Sequence, residues 1–185
     1  VWADFIQELT AAGHIEADEP FNTETLVIDY ETRVNRIQAM PDLAETLAEI
    51  RVRGLILSII SNAQFYTPLL FEALLGKTID TLGFCPGCNV WSYAQLEGKP
   101  SQQLYQLAAE RLKKHHGLSP QDCLYIGNDM RNDIWPAQAL GFRTALFAGD
   151  RLSLRRRQDH PACQQLQADA EITELGQIRR LIATR

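Results

Sequence analysis

Two acidic residues near the middle of the chain have a spacing that suits a metal ion. Asp129 and Asp133 lie four positions apart, shortly after the apolar run Cys123–Ile126, from which Gly127 and Asn128 separate them. Two carboxylates at a strand-to-helix turn can point at one hard cation, and Mg²⁺ is usually held by one or two carboxylates, water and substrate phosphate. Both residues could instead cap the following helix, whose N-terminus favours acids. The seven residues 127–133 alone leave both interpretations open.

A second apolar run ends in residues that suit a phosphate group. Ser61 and Asn62 follow Leu55–Ile60, and a loop that enters a helix offers unpaired backbone N–H groups as well as the Ser hydroxyl. A simple Ser cap is the alternative. Lys99 precedes Pro100, which disfavours helix at Lys99. A lysine fixed there could neutralise a phosphoryl group, or it could be a solvated loop residue.

The elements that must position these residues alternate between strand and helix after Gly54. Such alternation implies a parallel sheet with right-handed crossovers, and ligands of such sheets bind beyond the carboxyl ends of the strands. Before Gly54 the apolar spacing of Leu43, Leu47 and Ile50 predicts a helix. The predicted strands are Leu55–Ile60, Cys123–Ile126, Thr144–Ala148 and Ala170–Thr173, and the predicted helices begin after Ser101, at Ile134 and at Leu175.

Together these segments resemble the haloacid dehalogenase superfamily of hydrolases. The second family motif matches Leu55–Asn62, the third matches Lys99–Pro100, and the fourth matches Leu124–Asp133. The resemblance spans about residues 41–183. It implies an α/β fold with a Rossmann-like parallel sheet and a small α-helical cap. We therefore predict that residues 1–40 form the C-terminal part of the cap and that residues 41–185 form the α/β core without its first strand.

The resemblance also implies Mg²⁺-dependent hydrolysis of a small phosphomonoester through an aspartyl-phosphate. Many members carry the first acid of the fourth motif directly after the glycine, where this chain has Asn128. Which acid touches the metal therefore stays open. The implied roles are phosphate binding by the Ser61 hydroxyl and the Asn62 backbone, charge balance by Lys99, and Mg²⁺ binding by Asp129 and Asp133.

The first family motif, Asp-x-Asp on a strand, supplies the nucleophile and the general acid/base. Its nearest match here is Asp29-Tyr30-Glu31, in which Glu replaces the second Asp and the flanks are too polar for a central strand. We therefore predict a helix over residues 26–32 and a nucleophile upstream of Val1. The 185 residues alone are then expected to fold poorly and to lack phosphatase activity.

Two alternatives remain at this stage. A haloacid dehalogenase would use the same aspartate without a metal, but two nearby carboxylates without a cation repel each other. A non-catalytic binding module on the same scaffold is favoured by the missing nucleophile. Magnesium-dependent hydrolysis of a phosphomonoester by the full-length protein would separate these alternatives.

Composition fits one globular domain, or one domain with a small insert. The 185 residues are 45% hydrophobic and 22% charged, with a formal charge of −5. The negative sign argues against a nucleic-acid partner, and no apolar run approaches the ~20 residues that would cross a bilayer. Four cysteines are too few for a disulfide framework, so we expect a cytoplasmic protein. The oligomeric state cannot be predicted.

No function is predicted for three other groups of residues. Cys85 and Cys88 form a single CxxC without a second pair at zinc spacing, which favours a turn with two small thiols. His115 and His116 are predicted to be solvated at a helix end. The run 155–157 of three arginines is predicted to be a wet surface.

Overall fold

The chain forms two units, Val1–Gln38 and Ala39–Arg185. The computed structural model describes residues 2–16, 22–35 and 37–182. None of the helices in these ranges is both long and apolar enough to cross a membrane.

The first unit consists of two helices, α1 (Trp2–Ala11) and α2 (Thr23–Val34). Asn22 caps helix α2, because its side-chain oxygen accepts hydrogen bonds from the first turn of the helix. Apolar residues on one face of each helix, Ile6 and Val27, are buried. The prediction of a helix over residues 26–32 is confirmed. The assignment of this unit to a cap stays a prediction.

The second unit alternates helices with short strands, and its mixed α/β class is the predicted one. A π-helical turn, Met130–Ile134, precedes its α7 helix. In chain order the elements are α3 (Leu43–Val52), β1 (Ile60–Ser61), α4 (Thr67–Leu75), β2 (Val90–Trp91), α5 (Ser92–Gln95), α6 (Gln102–His116), β3 (Leu124–Gly127), α7 (Trp135–Ala139), β4 (Arg143–Phe147), β5 (Ala170–Ile172) and α8 (Ile178–Leu181).

The strands form two parallel sheets. In one sheet β1 pairs with β2, and in the other the order is β3-β4-β5. Among the described residues no backbone ladder joins β1 to β3. The Tyr125 hydroxyl on β3 lies 3.3 Å from the Ile60 carbonyl oxygen on β1, so a side chain spans the space between the two sheets.

The predicted strand over residues 55–60 is shorter than expected. Its ladder covers only Ile60 and Ser61, preceded by one bridge between Leu57 and Phe84. Leu55 and Ile56 are each 41% exposed, so the expectation of a strand covered on both faces is wrong at its start. Strand β2 is the one neighbour that the described residues give β1. Within the described residues, β1 is therefore paired along one edge only.

Helix α6 packs on the sheets and fixes the loop before it. Leu104, Tyr105 and Ala108 are buried together with Val90 of β2. The predicted Ser101 cap is confirmed, because its side chain accepts a hydrogen bond from the Gln103 N–H. The helix therefore begins three residues after Lys99, which places that lysine beside the sheet edge.

Candidate active site

The loops that follow β1 and precede α6 are joined by the side chain of Asn62. Its Oδ1 accepts a hydrogen bond from the Lys99 N–H at 2.6 Å, and its Nδ2 donates one to the Lys99 carbonyl at 3.2 Å. Both backbone groups of Lys99 are thereby held. The side chain of Asn62, rather than the backbone to which the sequence drew attention, fixes the position of the lysine.

Lys99 and Asp133 form a buried ion pair at the carboxyl ends of the strands. The Lys99 Nζ lies 2.6 Å from Asp133 Oδ1, and the two side chains are 14% and 4% exposed. The Tyr125 hydroxyl lies 3.2 Å from the same carboxylate oxygen and 3.4 Å from the ammonium. The structure thus brings the predicted lysine and one predicted acid into direct contact.

The other carboxylate oxygen of Asp133, Oδ2, is also engaged in hydrogen bonds. It accepts hydrogen bonds from the backbone N–H groups of Asn128 and Asp129, each at 3.0 Å. Gly127 permits this close approach, because a Cβ atom at that position would lie 2.3 Å from the Asp133 Cβ. Asp133 therefore holds the Gly127–Asp129 turn and Lys99 together.

Asp129 lies on the same turn and makes different contacts. Its Oδ1 accepts hydrogen bonds from the N–H groups of Arg131 and Asn132, so the helix-capping interpretation is confirmed for Asp129. It is wrong for Asp133, whose carboxylate binds N–H groups of the preceding turn. Its Oδ2 lies 2.7 Å from Nη2 of Arg157. Burial by itself raises the pKa of Asp129, but the Arg157 guanidinium and the two backbone donors outweigh burial and hold the pKa below its usual range.

Ser61 ends β1 beside this cluster. Its hydroxyl forms no hydrogen bond with any residue that the structure describes, and its side chain is half-buried. The preceding carbonyl, that of Ile60, lies next to the Tyr125 hydroxyl that also faces Asp133. One edge of the sheets therefore carries the unpaired hydroxyl of Ser61, the buried ammonium of Lys99 and the turn with the Asp129 and Asp133 carboxylates.

Two contributors to this cluster were missed in the sequence. Arg157 belongs to the predicted wet surface, but it binds Asp129, so that interpretation is wrong for this residue. The reason is that the Arg155 backbone exchanges hydrogen bonds with Asn128 and Met130, which brings the arginine loop alongside the acidic turn. The sequence indicated only that Tyr125 lies in a predicted strand and gave no sign of its contacts with Lys99 and Asp133. Burial raises the pKa of Tyr125 well above its ordinary value.

The ion pair between Arg157 and Asp129 should make stability depend on acid pH. A carboxyl with a lowered pKa stabilises the folded state above its unfolded pKa of about 3.9, and that contribution is lost as pH falls through the lowered folded value. We expect Arg157→Gln, in the absence of divalent cations, to reduce stability at neutral pH and to approach the parent protein as the pH falls through the lowered folded-state pKa of Asp129. Urea unfolding from pH 7 to pH 2 measures this.

The control for that experiment is Arg151→Gln, which alters an exposed arginine of the same loop. It should leave the pH profile unchanged. A constant difference between Arg157→Gln and the parent protein at every pH would show that Arg157 acts through packing and not through the charge of Asp129.

Comparison with known protein families identifies one family. The sequence profile of the haloacid dehalogenase-like hydrolases matches residues 2–141. A ribulose-1,5-bisphosphate 5-phosphatase of Halopiger xanaduensis is 26% identical over 152 residues, which cover 81% of this chain and 59% of that protein. The chain thus spans about three fifths of the length of this relative.

Solved structures resemble the described fold. A phosphatase of Thermococcus onnurineus has a TM-score of 0.63 at 22% identity, covering 90% of this chain and 66% of its own. The hydrolase YfnB of Bacillus subtilis, in a magnesium-bound form, has a TM-score of 0.64 at 18% identity, covering 95% of this chain and 67% of its own. At these identities the likeness shows the fold alone.

Proposed function

This chain belongs to the haloacid dehalogenase-like hydrolase family, and from that premise we propose that it carries the phosphate-binding and Mg²⁺-binding residues of a phosphatase for small phosphomonoesters. The observation that supports this most directly is the buried Lys99–Asp133 pair beside the free Ser61 hydroxyl. A phosphatase relative supports the same reaction class.

Ser61 and Lys99 are the proposed phosphate ligands. An ammonium has three N–H donors, and the contacts with Asp133 and Tyr125 leave one of them for an anion. The Ser61 hydroxyl can donate to a second phosphate oxygen, and the loop after β1 offers backbone N–H groups. Asn62 acts as a positioning residue, because both of its amide atoms hold Lys99.

The carboxylates of Asp129 and Asp133 are not equally available to bind a magnesium ion. Both oxygens of Asp133 accept hydrogen bonds already, from Lys99 on one side and two backbone N–H groups on the other. Both oxygens of Asp129 also accept hydrogen bonds, and Oδ2 accepts from the Asn132 amide and the Arg157 guanidinium. The Arg157 side chain is 37% exposed, however, and can move to solvent, whereas Lys99 beside Asp133 is buried. We therefore assign direct metal binding to Asp129 and the support of the turn to Asp133. A bound Mg²⁺ would neutralise charge on the phosphoryl group.

The attacking carboxylate is proposed to lie on a strand outside residues 1–185, between β1 and β3. The two sheets share no ladder there within the described residues, and a strand in that position would end beside Ser61 and Lys99. Attack on phosphorus would form an aspartyl-phosphate and release the alcohol with a proton from a general acid, and water would then hydrolyse the acyl phosphate. Asp29 is a poor candidate because it lies on α2, 57% exposed, paired with Arg33.

The two other functions predict different behaviour. A metal-independent dehalogenase would leave the Asp129 carboxylate without a cation other than Arg157, and a binding module would hold phosphate without turning it over. The assignment of the first unit to a substrate-selecting cap, and the cytoplasmic location, remain parts of the proposal.

The test is hydrolysis of p-nitrophenyl phosphate by the natural full-length protein with and without Mg²⁺. We expect activity that needs Mg²⁺ and that falls about 10²-fold or more in kcat for Asp129→Asn and Lys99→Met, because each removes charge stabilisation of the transferring group. Asp29→Asn is the control and should retain activity. Residues 1–185 alone should be inactive.

Three outcomes would contradict the proposal. Turnover of a 2-haloacid without Mg²⁺ would favour the dehalogenase. Phosphate binding without turnover by the full-length protein would favour the binding module. Activity of residues 1–185 that is abolished by Asp29→Asn would make Asp29 the nucleophile and remove the need for a further strand.

A further inference from the structure

The structure brings the single CxxC of the chain together with a histidine distant in sequence. Cys85, Cys88 and His116 place their ligand atoms within 4.8 Å of one another. Nε2 of His116 lies 3.3 Å from Sγ of Cys85. In a tetrahedral zinc site with ordinary bond lengths, two ligand atoms lie about 3.5–3.8 Å apart. The three side chains therefore need only small movements to share one ion.

The backbone around this cluster is held in place independently of the three side chains. The Cys85 N–H donates to the Leu57 carbonyl at 2.8 Å, and the Cys88 N–H donates to the Cys85 carbonyl at 3.0 Å. Arg111 of α6 donates to the Asn89 carbonyl at 2.6 Å, which fixes the helix against the residue that follows the CxxC. Such a preformed frame lowers the ordering cost of binding an ion.

We propose that Cys85, Cys88 and His116 bind a thiophilic divalent cation of the Zn²⁺ class, with water in the fourth position. Thiolate and imidazole ligands select zinc over magnesium, which prefers oxygen. The expectation that the CxxC is only a turn overlooked this site, because the third ligand comes from the far end of α6 and not from a second CxxC.

The cluster is remote from the candidate active site. Cys88 precedes β2 and so lies at the amino ends of the parallel strands, whereas Ser61 ends β1. Helix α6 runs back along the sheet from the loop of Lys99 to His116. An ion here would thus tie the end of α6 to the sheet and stabilise the helix that begins beside Lys99, without contacting substrate.

A redox role for the two cysteines is less consistent with their surroundings. Redox-active CxxC pairs depend on a stabilised thiolate. Cys88 is fully buried, and burial, followed by the hydrogen bond with Cys85, raises the pKa of its thiol to about 12. A bound cation supplies the missing stabilisation, because it deprotonates a coordinating thiol.

The test is titration of the full-length, reduced, metal-free protein with Co²⁺, followed by optical spectroscopy and competition with Zn²⁺. We expect one thiolate-bound Co²⁺ per chain, identified by its thiolate-to-cobalt charge-transfer absorption. Zn²⁺ should displace this ion, whereas excess Mg²⁺, which occupies the oxygen ligands of the candidate active site, should not. Cys85→Ser, Cys88→Ser and His116→Ala should each weaken binding about 100-fold or more. Cys123→Ser and His14→Ala, which alter residues outside the cluster, are the controls and should bind as the parent does.

Because His116 is exposed, its replacement should leave the fold intact, and a cooperative thermal melt checks this. His116→Cys should restore the charge-transfer absorption, and Zn²⁺ should raise the melting temperature of the parent but not of His116→Ala. Absence of charge-transfer absorption in the reduced parent protein, or binding unchanged in folded His116→Ala, would overturn the proposal.

Discussion

Replacing Asp133 by Asn is expected to lower the free energy of unfolding by about 3 kcal/mol. Removing one partner of a buried ion pair leaves a buried charge without compensation, which costs about 3–5 kcal/mol. The Lys99 side chain retains 14% exposure, so the lower end of that range applies. The amide oxygen can still accept the N–H groups of Asn128 and Asp129. Its NH₂ group then faces the Lys99 ammonium, so the variant removes both the charge and the acceptor that Lys99 uses. Urea unfolding at pH 7 measures it.

The chain provides a matched control for this prediction. Arg156 and Glu171 form an ion pair with the same 2.6 Å separation as Lys99 and Asp133, but their side chains are 46% and 47% exposed. Solvent-exposed pairs contribute about 0.2–1 kcal/mol. Glu171→Gln should therefore have an effect of that size. Equal effects of the two variants would show that burial does not determine the strength of these pairs.

The double variant Lys99→Met with Asp133→Asn tests the coupling. Removing both charges leaves neither group unpaired, so this variant should be more stable than Asp133→Asn alone. If it is instead less stable by the full effect of Lys99→Met, the two side chains contribute independently, and the contact between them is not the source of the loss.

Local sequence signals were sufficient to predict helix α6 and strand β3. The Ser101 cap and the apolar spacing of the following residues specified the start of α6, and the apolar run before Gly127 specified β3. These features depend on neighbours in sequence. Strand β2 could not be predicted in this way, because two residues carry no periodicity and the strand exists through its pairing with β1.

The candidate site was predictable in its residue types but not in its contacts. Lys99, Asp129 and Asp133 could be chosen because they follow strands or precede a helix. The pairing of Asp129 with Arg157 depends on the loop of residues 150–157, which lies against the acidic turn. The pairing of Asp133 with Lys99 depends on Asn62, which holds both backbone groups of the lysine. Such long-range backbone pairing has no local signal, and the role of the third arginine in a charged run was therefore overlooked.

The same reasoning applies to the cysteines. A CxxC is informative only together with its other ligands, and His116 is separated from Cys88 by β2 and α6. The sequence shows both motifs, but their proximity results from the direction of α6, which runs from the edge near Lys99 back to the amino ends of the strands. Ligands brought together by a whole helix are visible only in three dimensions.

The closest backbone approach in the site leads to the last prediction, for Gly127→Ala. A Cβ atom at this position would lie 2.3 Å from the Asp133 Cβ and 2.5 Å from its Cγ. Both atoms are near the backbone, so rotation of a flexible side-chain end cannot relieve the overlap. Overpacking in a well-packed site costs about 1–3 kcal/mol and occasionally more. We expect a loss of about 3 kcal/mol in the free energy of unfolding, measured by urea denaturation.

Gly176→Ala is the matched control, because a Cβ atom there would have no neighbour within 4 Å and the backbone needs no positive φ. It should change stability by less than about 0.5 kcal/mol. Gly127→Ala should also lower phosphatase turnover about 10²-fold in molecules that remain folded, since the methyl group displaces the carboxylate that holds Lys99 and the Asp129 turn. Asp133→Gly removes both the Cβ atom and the carboxylate that obstruct the new methyl group, so Gly127→Ala should cost less stability in that background than in the parent. If the cost is the same in both backgrounds, the strain arises elsewhere and Gly127 is not required by its contact with Asp133.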